Sequence, residues 1–137
     1  MKNKFSAFII LLLLSLVSSY SYGQTREQIV SYLKTKNIDS LVMYCAYPFD
    51  LNCTGNNADR NVKDAATLKS KLLQINKKHW FDSFFKKSTV VKEGYDIILI
   101  SKYFNNEGEL DGESSLKLEF KKLANGTFRL KGLFIAG

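Results

Sequence analysis

The chain has 137 residues, of which 45% are hydrophobic and 24% are charged, and it contains a single proline. This composition excludes a disordered tail, a collagen-like fibre and a disulfide-dense miniprotein. The length suits one compact domain, and the formal net charge of +7 is moderately basic.

The first 23 residues have the pattern of a secretory signal peptide. Lys2 and Lys4 form a positive start, and an apolar run over residues 8–17 precedes small residues that end at Gly23. Such a run is too short to span a membrane, which takes about 20 apolar residues. We predict cleavage after Gly23, a single mature domain over residues 24–137 with no membrane anchor, and export to a periplasm or outside the cell.

Two short helices are predicted at the start of the mature domain. Thr25 and Gln28 have the spacing of a capping box, which begins a helix over residues 26–36. Asn37 is expected to end this helix in the left-handed conformation, and Asp39 to cap a second turn. Apolar residues recur at helical spacing along both pieces, so the two helices share one buried stripe.

A strand, a loop and a further helix follow. Pro48 disfavours the helical conformation in the residue before it, so residues 47–51 are predicted to be extended. Residues 52–61 are polar and rich in turn-forming residues, which predicts a mobile surface loop. Asp64 then caps a helix whose apolar spacing directs four residues inward: Leu68, Leu72, Leu73 and Ile75. One more helical turn is expected to bury an aromatic ridge: Trp80, Phe81, Phe84 and Phe85.

After Gly94 the apolar period changes from that of a helix to that of a strand. Residues 95–104 are apolar at both alternating sets of positions, which predicts a strand covered on two sides. Residues 105–112 contain turn formers and are predicted to be a loop. Residues 115–123 alternate cleanly, so one face of that strand is in water.

The chain closes with a predicted hairpin. Asn125 and Gly126 both tolerate the positive φ of a type I′ turn, which joins the preceding strand to residues 128–135. Along that last strand the apolar residues stay on one face only if Gly132 is a bulge, and we predict the bulge.

Helices in the first half and a long meander in the second predict an α+β fold, in which the helices pack on one face of a curved antiparallel sheet. The order of the elements, with a Tyr47-Pro48-Phe49 strand entry and an aromatic turn over residues 80–85, resembles the nuclear transport factor 2-like superfamily and its cone-shaped, cystatin-like fold. That superfamily includes isomerases, dehydratases, transport adaptors and secreted proteins, so the resemblance implies a fold and no single function. It also implies that the sheet pairs in a homodimer.

Catalytic and metal-binding motifs are not evident. His79 is the only histidine, no nucleophile motif accompanies it, and Cys45 and Cys53 do not form two close pairs of metal ligands with it. The resemblance implies that an enzyme of this kind would use a carboxylate inside the cone, for which Asp50 and Asp96 are the candidates. We assign no catalytic residue, no metal and no cofactor.

The two cysteines leave two alternatives. In an oxidising compartment they would form a disulfide if the chain reversed near Pro48. The predicted strand through Pro48 keeps their Cα atoms apart, so free thiols are favoured.

Aromatic residues make up 13% of the chain, and some of them are expected at the open end of the cone, where they would hold a small apolar or sugar-like ligand. The candidate binding residues are Tyr44, Tyr47, Asp50, Trp80, Tyr95 and Tyr103. The lysines are scattered and no glycine-rich phosphate loop is present, so a solvated surface is favoured over nucleic-acid binding.

The sequence therefore predicts an exported, non-enzymatic module that binds a small molecule or a protein. The alternatives are a pocket enzyme of the isomerase or dehydratase kind, using Asp50 or Asp96, and an interaction or inhibitor module. The latter would act through the outer face of the sheet and the loop at residues 105–112.

Overall fold

A computed structural model describes residues 25–137, so the predicted signal peptide and the cleavage site after Gly23 lie outside the described residues. The helices are α1 (Arg26–Lys34), α2 (Ile38–Met43), α3 (Ala65–Lys77) and α4 (Asp82–Lys86), with a 3₁₀-helix at Asn57–Asn61. The strands are β1 (Cys45–Asn52), β2 (Thr89–Glu93), β3 (Asp96–Phe104), β4 (Leu110–Lys122) and β5 (Phe128–Ala136). None of the helices between residues 25 and 137 has the length and apolar composition that a membrane span requires.

The strands form one sheet in the order β1-β5-β4-β3-β2. Neighbouring strands are antiparallel except β1 and β5, which run parallel. The predicted α+β class is confirmed, and the expectation of a wholly antiparallel sheet is wrong at this one pair. β1 is connected to β5 through the rest of the chain and not through a hairpin, so no tight turn forces the two strands to run in opposite directions.

The ends of the first two helices differ from the prediction by a few residues. α1 begins with the predicted capping box but ends at Lys34, and the left-handed residue that follows is Lys36, with a φ of 60°, and not Asn37. Asn37 instead caps α2, because its side-chain oxygen accepts a hydrogen bond from the Ser40 amide. The cap that was expected of Asp39 therefore comes from the residue two positions earlier.

The core lies between the helices and one face of the sheet. The largest fully buried side chains are Phe49, Ile29, Leu33, Leu41, Leu51, Leu68, Leu72, Leu116, Leu118, Leu130 and Leu133. The inward face predicted for α3 is confirmed at Leu68, Leu72 and Ile75 and is wrong at Leu73, which is 43% exposed. Consecutive helical residues point about 100° apart, so Leu73 turns away from the surface that buries Leu72.

The predicted aromatic ridge is only partly in the core. Phe81 and Phe84 are buried and Phe85 is half-buried, whereas Trp80 is 37% exposed and lies in the turn before α4. The backbone adopts a left-handed conformation at His79, with a φ of 56°. Because this residue breaks the helical register, Trp80 does not continue the buried face of α3.

β3 buries one face only, so the prediction of a strand covered on both sides is wrong. Ile97, Leu99 and Ser101 are buried, the residues between them are half-buried, and the last three residues of the strand are exposed. Its neighbour β2 was not predicted and is exposed at every residue. An edge strand in water needs no apolar alternation, so its sequence carries no periodic signal.

β4 shows the predicted alternation, with Leu116, Leu118 and Phe120 buried. The strand nevertheless begins at Leu110, inside the segment that was predicted to be a loop. The connection between β3 and β4 is therefore shorter than the sequence indicated.

The predicted bulge is present in β5. In the register between β4 and β5, Lys131 is the extra residue without a partner. This irregularity allows Leu130 and Leu133, which are three positions apart, both to be fully buried on the core face. Glycine is required beside it, because a Cβ at Gly132 would lie 3.0 Å from the Asp50 carbonyl oxygen of the neighbouring strand.

The turn between β4 and β5 occurs at Asn125 and Gly126 as predicted, but its type differs. A type I′ turn needs a positive φ at both central residues, and of these two only Gly126, at 83°, has one. The Leu123 carbonyl accepts a hydrogen bond from the Gly126 amide. The geometry is that of a type I turn followed by a left-handed glycine, which is the usual three-residue hairpin loop.

The placement of α3 predicts unequal effects for two neighbouring leucines. Leu72→Ala should lower the free energy of unfolding by about 2–5 kcal/mol, because it leaves a cavity in the core. Leu73→Ala should change it by less than about 1 kcal/mol, because Leu73 is 43% exposed and its truncation leaves no enclosed cavity. Urea denaturation followed by circular dichroism measures both. Equal losses for the two variants would contradict the orientation of α3.

Candidate functional site

Openings lie at the margins of the core. The interior between helices and sheet is filled by side chains such as Phe49 and Leu118, both with no exposed surface. One opening, of about 900 Å³, lies where β3 continues past α4. Another, of about 460 Å³, lies between α3 and the polar segment after β1. We call them the β3 groove and the Trp80 cleft.

The β3 groove is built from the α4–β2 connection and the exposed end of β3. Its lining residues on the first segment are Ser83, Lys86, Lys87, Ser88 and Thr89, and those on the second are residues 100–104. Ser101, at the limit of the buried face, donates a hydrogen bond to the Lys87 carbonyl at 3.2 Å and so fastens the two walls together. The groove therefore occupies the end of the helix-covered face that α4 leaves open.

Tyr103 lies beyond Ser101 on the same face of β3, because side chains of a strand alternate. Its phenol oxygen is 3.0 Å from the Ser114 hydroxyl oxygen on β4. Hydrogen bonding with Ser114, and after it with Ser101 and Ser83, lowers the pKa of the Tyr103 phenol. Hydroxyl groups thus meet from both walls of the groove.

The charge of the groove comes from lysines alone. Lys86, Lys87 and Lys102 line it together with no acidic residue. Glu113 is the cross-strand neighbour of Lys102, but the two do not form an ion pair. Among the described residues none of the three lysines has an acidic partner, whereas other lysines of the surface, such as Lys69 with Asp39, do. The groove is a cationic, hydroxyl-lined surface.

The Trp80 cleft has a different construction, with an ion pair between its walls. The predicted loop at residues 52–61 contains the 3₁₀-helix, which holds Asp59 with 6% of its side chain exposed. Lys71 of α3 and the Thr54 hydroxyl each donate a hydrogen bond to one of its carboxylate oxygens at 2.5 Å. Hydrogen bonding to Lys71, and after it to Thr54, lowers the pKa of the Asp59 carboxyl.

The six predicted binding residues do not share one site. Trp80 lines the cleft and Tyr103 lines the groove. Tyr44 stacks on Tyr32 with ring centroids 5.9 Å apart, and Tyr95 packs edge-on against Phe128 at 5.7 Å. Tyr44 packs against the core, whereas Tyr95 is 51% exposed, and neither lines the groove or the cleft.

Tyr47 and the two candidate carboxylates are also engaged within the protein. Tyr47 lines a smaller opening, of about 250 Å³, with Pro48, Asn61 and Lys63. Its hydroxyl donates to the Val42 carbonyl at 2.9 Å, and burial raises the pKa of its phenol. Asp50 accepts two hydrogen bonds from the Arg60 guanidinium, and Asp96 accepts one from the Phe120 amide and lies 3.3 Å from the Lys117 ammonium. A base that takes a proton needs an oxygen facing substrate, and neither carboxylate lines the groove or the cleft.

The cysteines are free thiols, as the strand through Pro48 predicts. The Cys45 thiol donates to the Leu41 carbonyl and the Cys53 thiol to the Leu133 carbonyl, each at 3.3 Å. Burial raises the pKa of both thiols to about 12, so neither is a thiolate at neutral pH. They pack as small apolar residues.

His79 is an exposed residue that binds Asp82, with 2.9 Å between its Nδ1 and a carboxylate oxygen. Lys36 contacts the same carboxylate at 3.3 Å. Between residues 25 and 137 no group of three or more histidine, cysteine, aspartate or glutamate side chains is placed to hold a metal ion.

Several site residues had no clear signal in the sequence. Lys86 and Lys87 form a visible pair, but Lys102 is distant in sequence and joins them only through the pairing of β2 with β3. Asp59 stood inside a segment that was interpreted as a polar loop, and only its burial in the structure separates it from its neighbours.

No protein-family model matches this sequence, and no curated protein sequence matches it. Solved structures are similar to it. An uncharacterised cystatin-fold protein from Novosphingobium aromaticivorans is 9% identical, with a TM-score of 0.48 over 84% of this chain and 100% of that one. An NTF2-like protein with a cystatin-like fold from the same species is 16% identical, with a TM-score of 0.45 over 98% of this chain and 88% of that one.

A third similar structure is Aln2 from a Streptomyces species, at 7% identity and a TM-score of 0.45, covering 90% of this chain and 89% of that one. The first two structures bear the fold names that the order of elements predicts. At these identities and TM-scores, the likeness carries no activity, ligand or partner over to this chain.

The Asp59 pair predicts a pH-dependent contribution to stability. Because the pKa of Asp59 is lower in the folded protein than the ordinary value of 3.8, its ionised form stabilises the fold above about pH 4. That contribution is lost as the pH falls through the folded pKa. Asp59→Asn should therefore lower the free energy of unfolding by about 1–3 kcal/mol at pH 7 and by less at pH 3.

Asp39→Asn is the matched control, because Asp39 also pairs with a lysine but its side chain is 78% exposed. It should cost less than about 1 kcal/mol at either pH. Urea denaturation at the two pH values measures all three proteins. A loss at Asp59 that is the same at pH 3 as at pH 7 would contradict the assignment of the charged pair.

Proposed function

We propose that the protein is an exported, non-enzymatic binding module that holds an acidic oligosaccharide in the β3 groove. The observation that carries this proposal is the set of three lysines, Lys86, Lys87 and Lys102, which line the groove with no acidic residue among the lining side chains. Export is supported by the leader pattern of residues 1–23.

The size and open shape of the groove favour an extended ligand. A volume of about 900 Å³ is at the upper end of the range for small-molecule pockets, and the last three residues of β3 on its wall are exposed. Several sugar rings in a row would fit such a surface, while a single ion would leave most of it in water.

The hydroxyl groups favour a saccharide over other polyanions. Ser83, Thr89 and Tyr103 provide donors and acceptors that match sugar hydroxyls, while the Ser88 hydroxyl donates to the Phe84 carbonyl. The lysines would meet sulfate or carboxylate groups along the chain, and the exposed ring of Tyr103 offers a face against which a sugar packs.

A binding role agrees with the state of the carboxylates. Asp50 and Asp96, the candidates for a general base, are held by cations and by a backbone amide. The one buried carboxylate of the described residues, Asp59, has a lowered pKa, which is the opposite of what a pocket base requires.

One observation favours a protein-interaction role as a second candidate. Phe104 and Leu110 are 62% and 57% exposed and are register partners at the tip of the β3–β4 hairpin. Exposed apolar side chains beside one another are typical of contact sites. Phe104 also lines the β3 groove, whereas Leu110 does not, and a contact through the tip would not depend on the lysines.

The groove is tested with a heparin-derived hexasaccharide and the protein purified from the exported fraction. Isothermal titration in low salt should show saturable binding that weakens as salt rises. Replacing Lys86, Lys87 and Lys102 together with glutamine should weaken binding by about tenfold or more, since each lost contact is worth ~0.5–1 kcal/mol.

The matched control replaces Lys34, Lys63 and Lys121, which are also exposed, have no acidic partner within residues 25–137 and lie outside the groove. It removes the same charge and should weaken binding by less than about threefold. Equal losses in the two triple variants would reject the groove. A hexaglutamate peptide or a DNA hexanucleotide that binds as tightly through the same lysines would reject the saccharide. Binding that is lost in a Leu110→Ser variant but kept in the triple-lysine variant would favour the hairpin tip, because Leu110 does not line the groove.

A further inference from the structure

The Trp80 cleft is a second opening that the proposed function does not use. Its volume of about 460 Å³ is that of a site for a small molecule, and it is more enclosed than the β3 groove. Its walls come from α3, from the 3₁₀-helix and from the turn that contains Trp80.

The ion pair between the 3₁₀-helix and α3 makes the cleft a rigid site. Both oxygens of the Asp59 carboxylate accept hydrogen bonds, one from Lys71 and one from Thr54, and 6% of the Asp59 side chain is exposed. Because the carboxylate and the Lys71 ammonium neutralise each other, they contribute shape and not net charge. The two hydrogen bonds to Asp59, one of them from the half-buried Lys71 of α3, join the 3₁₀-helix to α3 and set the distance between the two walls.

The net charge of the cleft therefore comes from Lys77 and Lys78. Neither has an acidic partner in the part of the chain that the structure describes, and both line the opening with Trp80. The Lys78 ammonium lies 4.9 Å from the centre of the Trp80 ring. An ammonium group and an indole thus lie side by side at the edge of the cleft.

This juxtaposition suits a particular kind of ligand. A carboxylate would be attracted to Lys77 and Lys78, while a ring bound to it would pack on the indole and on Ile75, which is buried in the adjoining wall. The side-chain amide of Gln74, which also lines the cleft, offers one further donor and acceptor for substituents of the ring.

We propose that the Trp80 cleft is a binding site for a small carboxylic acid that carries one ring. The ring is either that of a sugar acid or that of an apolar cyclic acid, because the same cation and indole would receive both. The inference does not depend on the β3 groove, which binds through other lysines.

Trp80 is the only tryptophan in the sequence, so intrinsic fluorescence reports on this cleft directly. Glucuronate and cyclohexanecarboxylate, neither of which absorbs at the excitation wavelength, are titrated into the protein from the exported fraction. At least one should produce a saturable change in emission, and the corresponding neutral compounds, glucose and cyclohexanemethanol, should bind about tenfold more weakly or not at all. The acid that binds more tightly identifies the ring.

The variant Lys77→Gln, Lys78→Gln should weaken binding of the acid by about tenfold, since it removes both cations. The control Lys34→Gln, Lys63→Gln removes the same charge elsewhere and should change the affinity by less than about twofold. Trp80→Phe, followed by calorimetry, should bind several-fold more weakly. The groove variant of Lys86, Lys87 and Lys102 should bind the acid as the unmodified protein does.

Three results would overturn the proposal: no saturable change with either acid up to about 10 mM, equal binding of the neutral compounds, or equal losses in the two double-lysine variants. Circular dichroism of each variant shows whether it is folded. Because the groove variant is included, failure at the cleft and failure at the groove give different patterns.

Discussion

Burial of one face of the sheet beneath the helices is the interaction on which the rest of this molecule depends. Large side chains without exposed surface, contributed by helices and strands alike, fill that space. Removing such side chains from water is the dominant favourable contribution to folding, and close packing leaves few voids. Side chains therefore fill the interior, and the β3 groove and the Trp80 cleft lie where the helical cover ends.

The last strand shows how closely the backbone is adapted to this burial. Leu130 and Leu133 have a spacing that would place them on opposite faces of a regular strand, and the bulge at Lys131 brings both into the core. Gly132 next to it permits β1 to approach, since a Cβ there would collide with the Asp50 carbonyl oxygen. Lys131 and Gly132 thus serve both the burial of β5 in the core and the parallel pairing of β5 with β1.

The sequence predicts those parts of the fold in which burial of one face imposes a regular spacing on the apolar residues. The sequence predicts the alternation of Leu116, Leu118 and Phe120 and the need for a bulge in β5, because a residue on the wrong face would expose apolar surface. The extra residue of the bulge is Lys131, one position before the predicted Gly132. The sequence does not predict β2, because this strand is exposed throughout and burial imposes no regular spacing on its apolar residues. The exposed position of Trp80 follows from the left-handed conformation of His79, and no feature of the sequence predicts that conformation.

The β3 groove and the Trp80 cleft show the same contrast, for function, between what the sequence predicts and what only the structure shows. Trp80 and Tyr103 were predicted as binding residues from their chemistry, yet they line different openings, because only the packed structure determines which residues become neighbours. Lys102 meets Lys86 and Lys87 through strand pairing, and Asp59 becomes a wall of the cleft through burial. Fold-level likeness adds nothing to this question, since function is carried by such local arrangements.

We propose that ligands bind at the margins of a filled core and not inside it. Chemical-shift mapping of backbone amides in the labelled protein, with the heparin hexasaccharide added, tests this most directly. The account predicts shifts concentrated in residues 83–89 and 100–104, with the amides of Leu116, Leu118, Leu130 and Leu133 unchanged. Shifts concentrated at those four buried leucines would contradict it.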